Sequence, residues 1–89
     1  MKFYEFKKYL SFIDRLSICD KETLKYKNYI NINEVDNSYD DFYVYGVGII
    51  DSEFYLMEDG RYSSDSSKGE LRLVSCIEIM LDKKPRFEN

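Results

Sequence analysis

The 89-residue chain contains no histidine. That absence removes His-based acid–base triads, His-ligated metals and phosphohistidine chemistry together. Cysteine is scarce: Cys19 and Cys76 stand far apart, form no CxxC pair and are too few for a four-ligand zinc site. No apolar run approaches the roughly 20 residues of a membrane-spanning helix. The opening Met1-Lys2-Phe3-Tyr4-Glu5-Phe6-Lys7-Lys8 also lacks the continuous apolar core of a secretory signal. The expectation is a cytoplasmic protein of a bacterial host cell, without membrane contact, whose two cysteines are buried free thiols.

Phosphate loops and catalytic carboxylates are missing as well. Gly46-Val47-Gly48 lies inside a strand-like run and leads into neither Lys-Ser/Thr nor a helix, so it reads as a strand irregularity. Asp36, Asp40 and Asp41 lack the central glycine and terminal glutamate of a calcium loop. Asp51 and Glu53 share a strand face, but no basic or nucleophilic partner for them is identifiable nearby. The reading is a protein that catalyses nothing and uses no cofactor or metal.

Aromatic residues are abundant, with nine Tyr and six Phe. They supply large apolar area to a chain so short that folding buries only about 60–65% of its unfolded surface. One domain over 1–89 is expected. Charge is unevenly placed: residues 1–30 carry a net +3, residues 31–82 a net −9 and residues 83–89 a net +2.

Phe3, Phe6, Leu10 and Ile13 recur at helical spacing and predict an amphipathic helix over 2–12. Asp14 to Asp20 alternates with period two and predicts a strand. Leu24 to Ile32, with Leu24, Tyr26, Ile30 and Ile32 in phase, predicts its hairpin partner. Asn31 or Asn33 is placed to cap a short helix towards Asp41. Phe42 to Tyr55 is the strongest β pattern, and Gly46 and Gly48 within it suggest a bulge or close backbone approach. Residues 58–69 read as a mobile loop, Leu71 to Leu81 as a closing strand and 84–89 as a frayed tail. The expected fold class is α+β: a small antiparallel sheet of about four strands with the N-terminal helix packed on one face.

Direct nucleic-acid binding is disfavoured. Tyr43 and Tyr45 lie in the acidic segment, whereas phosphate binding needs Lys/Arg beside the aromatics. Two binding readings remain. In the first, an acidic face occupies the surface of a basic, nucleic-acid-binding protein. Its candidate residues are Glu34, Asp36, Asp40, Asp41, Asp51, Glu53, Glu58 and Asp59, with Tyr39, Tyr43 and Tyr55 as aromatic anchors. In the second, a strand edge or Tyr-rich face makes the chain a homo-oligomeric assembly module, such as a homodimer.

The order of features also carries a resemblance. Phe3-Tyr4-Glu5-Phe6 to Leu10, the turn Asn33-Glu34-Val35-Asp36 and the stretch Val44-Tyr45-Gly46-Val47-Gly48-Ile49-Ile50-Asp51-Ser52-Glu53-Phe54 resemble small accessory proteins of phages and mobile elements in Gram-positive bacteria. Among these are anti-CRISPR inhibitors of RNA-guided nucleases, several of them acidic. The resemblance implies an inhibitor with a CRISPR effector nuclease as partner, and assigns no role to any single residue. The basic first 30 residues depart from a uniformly acidic DNA mimic.

Overall fold

The two longest β patterns of the sequence become the two longest strands of the computed structural model, which describes residues 1–65, 67 and 69–85. The strands are β1 (Leu16–Asp20), β2 (Lys25–Tyr29), β3 (Tyr43–Leu56), β4 (Tyr62–Ser63) and β5 (Glu70–Asp82). They form one sheet in the order β2-β1-β5-β3-β4. The α+β expectation holds, but the sheet has five strands and is mixed. β5 runs antiparallel to β3 and parallel to β1, matching Leu16–Asp20 with Ile77–Leu81. The alternation in a strand's sequence names its faces and not its neighbours, so β5's insertion between β1 and β3 left no mark in the pattern. The fifth strand is the two-residue β4, inside the stretch expected to be a loop. Ser66 and Lys68 of that stretch, and 86–89 of the expected tail, lie outside the described residues.

Alternation divides the sheet into a front and a back. Leu16, Ile18, Tyr29, Ile77, Ile79, Leu81 and Val44 share the front. Phe3, Leu10, Ile32 and Val35 complete the buried core against this face, with Phe6, Ile13, Tyr39 and Phe42 packed around them. The expected long helix is shorter: α1 spans Phe3–Phe6 and continues as a 3-10 turn, Lys7–Tyr9. Its start is tied by Phe3 N–H to the Phe42 carbonyl at 2.7 Å and by Tyr4 N–H to the Asp40 carbonyl at 3.1 Å. Leu10 then enters the core and the chain turns into β1, which leaves Phe12 exposed. Between β2 and β3 the chain makes two 3-10 turns in place of one helix. Asn31 caps the first by accepting from Asn33 N–H, and Asp36 caps the second by accepting from Ser38 N–H.

The predicted phase of β2 is corrected. Tyr29, not Tyr26, is buried on the front, and Leu24 sits exposed in the turn with φ of 58°. On the back the sheet curls until β2 reaches β3. The Asn28 side-chain amide donates to Ser52 Oγ at 2.8 Å and to the Glu53 carbonyl at 2.7 Å. Arg15 extends over the Tyr62 ring of β4, 5.2 Å from its centroid. This curl buries Ser17, Ser52, Phe54 and Cys76. No described helix is long and apolar enough to cross a membrane. The described chain is elongated, 50 × 24 × 20 Å.

Candidate functional site

The acidic candidates do not form one patch. Glu34, Asp36, Asp40 and Asp41 belong to the 3-10 segment beside α1, and Glu58 and Asp59 to the turn after β3. The 14 residues of β3 separate the two groups, a run of roughly 40 Å at strand rise. Several have local work. Glu34 accepts from Ile30 N–H, Asp36 caps a turn, and Asp59 accepts from Arg61 N–H. Asp40 pairs with Lys7 Nζ at 2.7 Å and so fastens the N-terminal turn to the 3-10 segment. Of the tyrosines, Tyr39 packs edge-on against Phe42 at 5.2 Å, and Tyr43 lies under the Lys2 ammonium. Tyr55 is half-buried on β3.

Asp51, Glu53 and Tyr55 stand apart from the others, because they share the front face with a surface the sequence reading missed. α1 and the 3-10 turns cover only one half of that face. On the other half Val47 is 52% exposed, Ile49 79%, Leu71 54% and Leu73 70%. The register brings them into one strip: Val47 is opposite Ile79, Ile49 opposite Ile77, Asp51 opposite Ser75, Glu53 opposite Leu73 and Tyr55 opposite Leu71. The inner end of the strip opens into a cleft of about 220 Å³ lined by Ile13, Asp14, Arg15, Ile49, Ser75, Cys76 and Ile77. Phe12, 92% exposed, precedes that wall. A signal for the strip was present in the sequence. The two long strands read from the sequence, of fourteen and eleven residues, were set against a helix of at most eleven, which at helical rise is too short to cover them.

The electrostatics of the strip are one-sided. Asp51 accepts from Ser75 Oγ at 2.9 Å. Glu53 has no side-chain partner among the described residues, and Asp14 stands exposed at the cleft. No strip position carries a Lys or Arg. The cation at the cleft, Arg15, donates to the Ser75 carbonyl at 3.2 Å and reaches over Tyr62. Cys19 and Cys76 are free and buried. Burial raises both thiols above their ordinary value; Glu78 and Asp20 add to the rise at Cys19, whereas Arg15 opposes it at Cys76. Thiols held in that state are poor nucleophiles and poor metal ligands. Among the described residues, no three Cys, Asp or Glu side chains gather to hold a metal ion. What the strip offers is apolar contact area edged with carboxylates. No family model, curated protein or solved structure matches the chain.

Proposed function

We propose that this chain is a non-catalytic, protein-binding inhibitor that sets the open half of its front face on a basic, nucleic-acid-binding protein, in the manner of an anti-CRISPR protein on an RNA-guided nuclease. One observation carries the reading: Val47, Ile49, Leu71 and Leu73 are exposed on one face of the sheet, where Asp51 and Glu53 have no ion-pair partner among the described residues; Asp14 at the cleft pairs with Arg15 at 3.9 Å. Exposed apolar residues gathered on one sheet face, here in two groups on either side of the Asp51–Ser75 pair, favour an interaction surface. Its carboxylates favour a partner whose own surface is rich in Lys and Arg. Glu34, Asp36, Asp41, Glu58 and Asp59 then act as distant charges that speed encounter, while the strip supplies contact.

The runner-up, a homo-oligomeric module, draws on the same strip. Two copies face to face would bring two acidic faces together, and like charges set against each other oppose association.

The test is a pull-down of the tagged chain against a panel of RNA-guided nucleases, with and without guide RNA, at low and moderate salt. The expected result is salt-sensitive capture of one nuclease, lost when target DNA is added first. Leu73→Ser, or Asp51→Asn with Glu53→Gln, should weaken it by at least about tenfold, the effect of losing one or two central contacts. No capture by any nuclease, with a dimer seen by light scattering, would sink the inhibitor reading for these partners and promote the module.

A further inference from the structure

A second feature of β3 is its outer edge. β4 pairs with β3 only at Tyr55 and Leu56. At the other end Val44 N–H donates to the Met1 carbonyl at 2.9 Å, and Lys2 bridges Tyr43. Nearer the turn, the Glu53 carbonyl is taken by Asn28. Between these closures, from Gly46 to Asp51, no strand among the described residues pairs with that side of β3.

The directions of the backbone groups follow from the same contacts. Glu53's carbonyl points away from β5, and backbone groups alternate along a strand, so those of Ile49, Asp51 and Val47 point outward too. The register shift between Val44 and Gly46 reconciles this phase with Val44, whose N–H also points out. The opposite strand agrees: the Ser75 and Leu81 carbonyls, across from Asp51 and Val44, turn to Arg15 and Lys21 on the β1 side. Three residues therefore present N–H and C=O groups to whatever lies beside β3.

The side chains flanking this edge specify what would fit. On the front stand Val47, Ile49, Asp51 and Glu53. On the back stand Gly46 and Gly48, and a Cβ at either would have no atom within 4 Å. A strand laid along the edge would thus set a cationic side chain opposite Asp51, with Glu53 one step beyond the open stretch to add to the attraction. Its alternate side chains would fall beside the glycines, where large rings have room; an aromatic packed across a strand glycine restores the contact that the glycine lacks.

We propose that the edge from Gly46 to Asp51 is a strand-addition site for an extended segment of a partner protein that alternates basic and aromatic residues. This rests on the protein-binding reading above and shares Val47, Ile49 and Asp51 with its strip, but it engages the main-chain groups of the edge rather than the side chains of the face. Main-chain pairing would give affinity and the alternate side chains specificity.

The probe is a blocked eight-residue peptide alternating lysine and tyrosine, added to the isotope-labelled full chain and followed by amide hydrogen exchange. Exchange at Val47, Ile49 and Asp51 should slow by at least about tenfold, the range of one or two net hydrogen bonds. Replacing lysine by glutamate, or N-methylating the peptide amides that face β3, should weaken binding by a similar factor. Gly48→Val narrows the aromatic seat, starting from a Cβ position with no atom within 4 Å, and should weaken the peptide without lowering the melting temperature. Leu73→Ser, on the strip but off the edge, should leave peptide binding intact, which separates failure of this site from failure of the face. Unchanged exchange at the three amides under saturating peptide would overturn the proposal. So would equal binding of the N-methylated peptide, or protection that rises with protein concentration alone and so assigns the edge to a second copy.

Discussion

Ser17, the second residue of β1, has its side chain fully buried and its Oγ without a hydrogen-bond partner among the described residues. Its cross-strand neighbour Asn28 is engaged by Ser52 and Glu53 instead. A buried hydroxyl left unpaired costs about 1–3 kcal/mol relative to water, and alanine removes that group while leaving the backbone bonds in place. Ser17→Ala is therefore expected to stabilise the fold by about 1 kcal/mol, read as a higher urea midpoint at unchanged slope. A lower midpoint would mean that Oγ has a partner after all, and would locate one on the back face. The Lys7–Asp40 pair is the opposite case. Its atoms are close but partly solvated, so it orients the N-terminal turn more than it stabilises the fold.

At the scale of elements, the junction of β3 with β5 depends on Gly69. A Cβ there would lie 2.7 Å from Tyr55 Cβ and 3.1 Å from the Leu56 carbonyl oxygen, both held by the sheet. Gly69→Ala must push the start of β5 away from the end of β3. The expected cost is about 1–3 kcal/mol, seen as a fall in melting temperature of at least about 4 °C. An unchanged melting temperature would show that this end of the hairpin yields freely. The sequence made β3 and β5 legible because their apolar alternation persists for a dozen residues. It also marked the bulge, through Gly46. β2 was readable as a strand but not in phase, since Tyr26 and Tyr29 are equally apolar and only Leu16 across the ladder decides which is buried. The helix was overdrawn for a related reason. Ile13 continues its stripe, and nothing local announces that the helix ends as Leu10 enters the core. Of the candidate site, Asp51, Glu53 and Tyr55 fall on the exposed strip. The other acids were neighbours in sequence that the length of β3 carries apart.

For the molecule as a whole, three buried ionisable groups set the alkaline limit of stability. Burial is the main cause that raises Cys19 and Cys76 above the ordinary 9.0 and Tyr29 above the ordinary 10.0. Folded, they hold their protons; unfolded, they release them first. Above about pH 9 the unfolded chain therefore binds fewer protons than the folded one, and stability falls as pH rises. Urea midpoints should be level from neutrality to about pH 9, fall beyond it and fall faster above about pH 10, with the first step reduced in a Cys19→Ala, Cys76→Ala chain. A profile level to about pH 11 would show that the three groups are solvated in the native state. The sheet order has a consequence of another kind, for synthesis. β5 is the central strand, yet it is the last one made, and it alone joins β1 to β3. A ribosome therefore displays a hairpin and a bare edge strand, neither stable alone, until residue 82 has emerged. Assembly of this sheet therefore waits on its newest strand, which inserts between β1 and β3. Until β5 has paired with it, β3 presents long unpaired backbone edges, and these expose it to pairing with other chains.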